Sequence, residues 1–232
     1  MIKFHRTFDP QRIRLVIFDL DGTLIDSRLD LIHSINAMLR HFERPELPGD
    51  VVASYVGDGA PMLVRRALGD PVDEAFLKEA IDYFLGYYRV HKLDYTLVYD
   101  GIKEALTVIR GNNGSRTMAV LSNKPVNPSR DIVNALGLGE YFAFVYGGNS
   151  FQTKKPDPLG ARVLLQETMT RPEETLIVGD SSNDILTGRN AGLWSCGVTY
   201  GFAPHTLCEV PPDVVIDSPE DLQRLFEPRQ SP

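Results

Sequence analysis

The chain has 232 residues, 43% of them hydrophobic and 24% charged, with a formal net charge of −7 at pH 7. That balance describes a globular protein with material for a sizeable core, and it excludes a disordered chain or a basic, nucleic-acid-coating one. With only Cys196 and Cys208, no histidine at ligand spacing and no run of about 18 apolar residues, it also excludes a disulfide framework, a zinc site and a membrane-spanning helix.

The N-terminal stretch MIKFHRTFDPQRIR (1–14) has no apolar centre of the kind a secretory signal carries, so the expected compartment is the cytoplasm. RLVIF (14–18) predicts a buried strand, which runs directly into DLDGTLIDS (19–27). A segment of about 90 residues without a comparable strand follows. Its apolar spacing predicts helices over 28–42, 50–56, 59–69, 73–92 and 100–110, the last opened by Asp100 as N-cap. Further strands are predicted at TMAVLS (117–122), FAFVYGG (142–148), TLIVGD (175–180), SCGVTY (195–200) and DVVID (213–217). The terminal EPRQSP reads as a frayed tail.

Strands alternating with helices predict an α/β fold with an open, mostly parallel sheet. One crossover helix is enough between two parallel strands, and 100–110 fills that place. The four earlier helices are therefore expected to form an all-helical insertion, 27–95, over a core made of 1–26 and 96–232. Ligands of open α/β sheets bind beyond the carboxyl ends of the strands, so the insertion is expected to cover the chemistry.

Four stretches carry that chemistry. Asp19 and Asp21 stand at the end of a strand, and Gly22 lets the chain turn so that both carboxylates face one cavity. IVGDSSND places Asp180 at another strand end and Asp184 within the next helical turn. Two unit charges about 4 Å apart repel by about 4 kcal/mol at an effective dielectric near 20, so converging carboxylates call for a cation or protons. Oxygen ligands favour Mg²⁺. LSNKP offers the Ser122 hydroxyl and the backbone amides of Asn123 and Lys124 to an anion, and QTKKPDP brings Lys154 and Lys155 ahead of Pro156.

In chain order, DLDGTLIDS, LSNKP, KKPDP and GDSSND resemble the four motifs of the haloacid dehalogenase superfamily of phosphohydrolases, and the resemblance covers nearly the whole chain. It implies a Rossmann-like three-layer core with a helical cap inserted after the first motif. It implies Asp19 as nucleophile and Asp21 as general acid and base. Mg²⁺ is then held by the Asp19 side chain, the Asp21 carbonyl and Asp180, with Asp184 in support. Ser122 and Asn123 are implied as ligands of the phosphoryl oxygens, Lys155 as the charge-balancing cation, and Thr23 as a link between the catalytic turn and the cap. Lys154 is given no role.

Within the superfamily, YVGDGAPMLVRRAL, GGNSF with KKPDP, VGDSSNDI and GVTYGF resemble the phosphoglycolate phosphatase group. The resemblance implies hydrolysis of a small phosphate ester, 2-phosphoglycolate first, by a monomer or homodimer with no nucleic-acid or membrane partner. Gly57, Asp58 and Gly59 are then a cap loop lowered into the cleft, beside which Arg65 and Arg66 read as an exposed helical pair. Asn149 stands where the group often has an acid. Alternatives are a phosphatase of another small ester or of pyrophosphate, and a sugar phosphomutase, whose cap histidine and cation pattern DSRLDLIHS and GDGAPML do not reproduce. A dehalogenase would lack the second acid, Asp21. A receiver-like phospho-aspartate signalling module shares the acids, hydroxyl and lysine but needs no helical insertion. The aromatics of IDYFLGYYRV (81–90) recur at helical spacing and read as packing.

Overall fold

The structure is a computed structural model, and it describes residues 1–111 and 114–227. The tail expected to fray falls mostly at 228–232, outside the described residues. Nine strands occur among them. These are β1 (Ile2–Phe4), β2 (Leu15–Phe18), β3 (Ile25–Asp26), β4 (Leu97–Val98), β5 (Thr117–Leu121), β6 (Phe144–Tyr146), β7 (Thr175–Gly179), β8 (Trp194–Val198) and β9 (Val214–Ile216).

Seven of them form one sheet in the order β1-β9-β8-β7-β2-β5-β6. All its pairings are parallel except that of β1 with β9. The strands at 14–18, 117–122, 142–148, 175–180, 195–200 and 213–217 are found where the sequence predicts them. Two things were not predicted. The edge strand β1 has three residues, mostly exposed, too short for a periodic signal. β3 and β4 form a separate two-residue antiparallel ribbon with Ile25 opposite Val98.

The helices of the insertion are α1 (Arg28–His41), α2 (Gly49–Ser54), α3 (Ala60–Ala67) and α4 (Glu74–His91), and α5 (Ile102–Arg110) is the crossover back to the sheet. After it come α6 (Val126–Ala135), α7 (Leu159–Thr168), α8 (Ser182–Ala191) and α9 (Pro219–Phe226). Asp100 does not cap α5. Gly101 holds that position in a left-handed conformation, φ 84°, with no side-chain cap, because the chain must reverse sharply out of β4.

β2 sits mid-sheet, with all four side chains buried between two layers. Val16 and Phe18 join one cluster with Leu106 and Leu222, whereas Leu15 and Ile17 join another with Ala161 and Leu164. The alternation of a strand thus feeds both faces of a three-layer core. The helices α1 to α4 bury a third cluster among themselves, including Ile35, Met38, Leu63 and Phe84.

Phe18 is fully buried with its ring edge-on to Phe142 at 5.9 Å. Phe18→Ala is expected to cost about 3–5 kcal/mol of unfolding free energy, read by urea titration, because the central sheet cannot collapse into the void.

Candidate active site

β2 and β7 are neighbours, so their last residues deliver Asp19 and Asp180 to the same sheet edge, and the Asp19 amide extends the ladder by donating to Val178 at 2.9 Å. Beyond it the chain folds back on itself, with the Gly22 amide donating to the Ile25 carbonyl at 2.9 Å. Gly22 has φ 81°, and a Cβ there would lie 2.4 Å from Asp180 Oδ2. Only glycine satisfies both demands. Asp184 enters from the first turn of α8, its Oδ2 accepting from the Ser181 amide at 3.2 Å and hydroxyl at 2.8 Å.

Carboxylate oxygens of Asp19, Asp180 and Asp184 all lie within 4.8 Å of one another. Lys155 Nζ lies 2.8 Å from Asp19 Oδ1 and 2.6 Å from Asp184 Oδ1. Asp19 Oδ1 therefore faces the Lys155 ammonium and, among the described residues, no other donor. The Asp180 Oδ2 atom accepts from the backbone amides of Phe202 and Ala203. Burial pushes the Asp180 carboxyl up to about 8, reinforced by Asp184 and Asp19. Burial likewise raises Asp19 to about 6 against the opposing pull of Lys155. Burial works against the charge on Lys155, but Asp184 and Asp19 outweigh it and hold the ammonium charged.

Asp21 stands outside that trio but lines the same cavity as Asp19. Lys124 Nζ donates to both its oxygens at 3.0 Å, and the Ser27 hydroxyl donates to Oδ1. Ser27 and the Lys124 side chain thus border the candidate site, whereas the sequence offers only the Lys124 backbone amide to it. Lys124 was visible only as the fourth residue of LSNKP, and its partner lies 103 positions away. With all four carboxylates ionised, the two lysines would offset only half of the negative charge. The all-oxygen donor set of Asp19, Asp180 and Asp184 and its excess of negative charge fit a divalent cation of the Mg²⁺ type.

Ser122 follows β5, its amide donating to Tyr146 and its hydroxyl accepting from the Lys124 amide at 3.2 Å. Asn123 is buried and joins two parts of the molecule, donating to the Lys155 carbonyl at 3.0 Å and the Gly57 carbonyl at 2.9 Å. Thr23 is fully buried behind the turn, its carbonyl accepting from the Tyr200 hydroxyl, and it does not line the cavity. Asn149 Oδ1 accepts from the Val126 amide at the start of α6.

The loop Gly57-Asp58-Gly59 reaches the core. Asp58 Oδ1 accepts from Asn183 of α8 at 2.9 Å, and the Asp58 carbonyl accepts from Lys154. Burial pushes Asp58 up, but Asn183 and Arg66 outweigh it and hold the carboxyl below its usual range. Gly59 has φ 82°, and a Cβ would meet the Asn123 carbonyl at 2.8 Å. Arg65 does pair on the surface, with Asp70 and Glu74, whereas Arg66 turns to Asp58 and the Tyr55 carbonyl. Lys154, which the sequence left without a role, is part of this latch.

Between the strand ends and the helices above them lies a cavity of about 680 Å³, its open mouth included. Its floor is polar, with Asp19, Asp21, Ser122, Asn123, Lys124 and Asp180. Its roof, from α1, α3, α4 and the 56–60 stretch, includes Leu31, Val56, Leu63, Phe84, Leu85 and Tyr88.

Residues 16–198 match the family model of the haloacid dehalogenase-like hydrolases. The chain belongs to that family. A phosphoglycolate phosphatase of Pseudomonas syringae pv. tomato is 34% identical over 97% of this chain and 83% of its own length. Phosphoglycolate phosphatase 1 of Pseudomonas aeruginosa is 37% identical over 90% of this chain and 78% of its own. Among solved structures, that of a predicted phosphoglycolate phosphatase from Haemophilus somnus 129pt superposes with a TM-score of 0.87 at 30% identity, covering 93% of this chain and 99% of the other. The three-layer core with its inserted helices is the fold of this family, and no described helix is long and apolar enough to cross a membrane.

Two outcomes test the geometry. The raised carboxyls of Asp19 and Asp180 mean that the metal-free folded state holds more protons than the unfolded chain, so its stability falls as pH rises from about 4 towards 8. The gain in melting temperature on adding Mg²⁺ is therefore expected to grow over that range, and binding near pH 7 is expected to release protons, as calorimetry in buffers of different ionisation enthalpy would register. Asn183→Ala removes one latch bond worth about 1 kcal/mol, so amides at 56–59 are expected to exchange faster while those of β2 do not.

Proposed function

We propose that this hydrolase is a Mg²⁺-dependent phosphomonoesterase that converts a small phosphate ester, foremost 2-phosphoglycolate, to the free alcohol and phosphate. The observation that carries the reading is the convergence of Asp19, Asp180 and Asp184 oxygens within 4.8 Å of one another, with Lys155 beside them. The names of the relatives support the substrate, and the small, capped cavity accords with it.

Asp19 is the nucleophile. One of its carboxylate oxygens attacks phosphorus, the bond to the leaving alcohol breaks, and an aspartyl-phosphate forms. Asp21 gives its proton to the departing oxygen, then takes one from the water that attacks the aspartyl-phosphate, and Asp19 is restored as phosphate leaves. Ser27 and Lys124 fix the direction of the Asp21 carboxyl during both transfers. The Ser122 hydroxyl and the Asn123 amide receive phosphoryl oxygens that do not transfer, and Lys155 offsets charge on nucleophile and phosphate. A divalent ion would be held by the Asp19 and Asp180 carboxylates and the Asp21 carbonyl, with Asp184 in support, and when bound it neutralises phosphoryl charge.

On this reading residues 27–95 are a cap domain that closes over the core of 1–26 and 96–232, with Gly57-Asp58-Gly59 as its lowered edge and Thr23 linking turn to cap. Closure excludes water that would otherwise compete with the leaving alcohol's environment. The setting is cytoplasmic and the assembly a monomer or homodimer.

Asp19→Asn keeps the shape and removes the nucleophile. It is expected to lower phosphate release from every ester by about a thousandfold or more while leaving the melting temperature of the metal-free protein equal or higher. A screen of small phosphate esters with and without Mg²⁺, scored by kcat/KM, is expected to place 2-phosphoglycolate first; near-wild-type turnover by the Asn variant would overturn the assignment of Asp19.

A further inference from the structure

We propose that Tyr88 and Lys124 form the specificity pair for the leaving group, receiving an anionic carboxylate carried by the departing alcohol. The proposal rests on the phosphatase reading above and extends it to the end of the substrate that does not react.

The roof of the cavity is almost wholly apolar, and Tyr88 is its one polar side chain among the described residues. Tyr88 is 3% exposed, and its hydroxyl has no hydrogen-bond partner. Leaving a buried hydroxyl unpaired is costly, and native proteins rarely do so without a ligand or water to complete it. Burial first of all pushes its pKa up to about 12, so the hydroxyl keeps its proton and acts as a donor.

Lys124 is the one cation among the described residues that line the cavity. Its Nζ lies 4.7 Å from the centre of the Tyr88 ring and donates to both oxygens of Asp21, so charge and hydroxyl stand side by side at the cavity wall. The other cations nearby are engaged elsewhere, Arg66 with Asp58, Arg65 with Asp70 and Glu74, and Lys154 with the Asp58 carbonyl. A carboxylate entering beneath the roof thus has one place where a charge and a neutral donor meet it together. That place adjoins Asp21, which puts the recognised anion within a few bonds of the leaving oxygen. Long leaving groups would have to displace the Phe84 ring that stacks on Tyr88 at 5.8 Å.

The test compares kcat/KM for 2-phosphoglycolate with that for its neutral isostere, 2-phosphoglycolamide, in the wild type and in Tyr88→Phe. The wild type is expected to prefer the acid by about tenfold or more, and Tyr88→Phe to shrink that ratio by about tenfold, chiefly through KM for the acid. The substitution removes one oxygen and keeps the ring stack, and a thermal melt checks the fold. A wild-type ratio near one overturns the proposal without recourse to any variant, and so does a variant whose ratio stays within twofold of the wild type's. A wild type that releases phosphate from no ester overturns the phosphatase reading, and with it the pair.

Discussion

Everything at the candidate site answers to one constraint, the forced meeting of Asp19, Asp180 and Asp184 at the tips of adjacent strands and the head of a helix. Buried carboxylates at such range repel by several kcal/mol per pair at an effective dielectric near 20. The fold supplies partial relief through Lys155, through the amides of Phe202 and Ala203, and through the Ser181 amide and hydroxyl. It stops short of complete relief. The negative charge left over is what the proposed cation would neutralise. The cost is borne by the sheet, whose central strands are buried on both faces.

The site is divided between two bodies of packing with different characters. The floor is built on strand ends and turns, held by backbone hydrogen bonds that leave little freedom. The roof is built on helices with an apolar cluster of their own, against which Phe202 of the core packs, and it otherwise meets the floor through polar contacts such as those at Gly57, Asp58 and Asn183. Such contacts exchange readily with water, so opening and closing need not disturb either core. Selectivity for a substrate can then change on the roof while the reacting groups on the floor stay as they are.

The core strands were legible because short runs such as TLIVGD and TMAVLS are apolar, β-branched and bounded by turn residues. The acids were legible because DLDGT and GDSSND put carboxylates directly after such runs. What stayed hidden shares a common cause, which is dependence on partners distant in sequence. Lys124 acquires its meaning from Asp21, and Tyr88 from the cavity beneath it. Its helical spacing did announce packing, and it does stack on Phe84, but periodicity carries no information about where a hydroxyl points. Asp100 misled because a good capping residue next to a glycine yields to whichever of them the chain reversal requires.

The ribbon of β3 and β4 sets the two ends of a long excursion side by side, Ile25 against Val98. For the sheet, some seventy residues therefore enter and leave as through a doorway one hairpin wide. Bringing β2 and β5 into register needs no long loop to be closed at that moment, provided the doorway has formed, since the entropy of the excursion has already been spent inside it. The helices beyond the threshold are thus exchangeable furniture: another insert with ends at the same spacing could be received there without moving the walls.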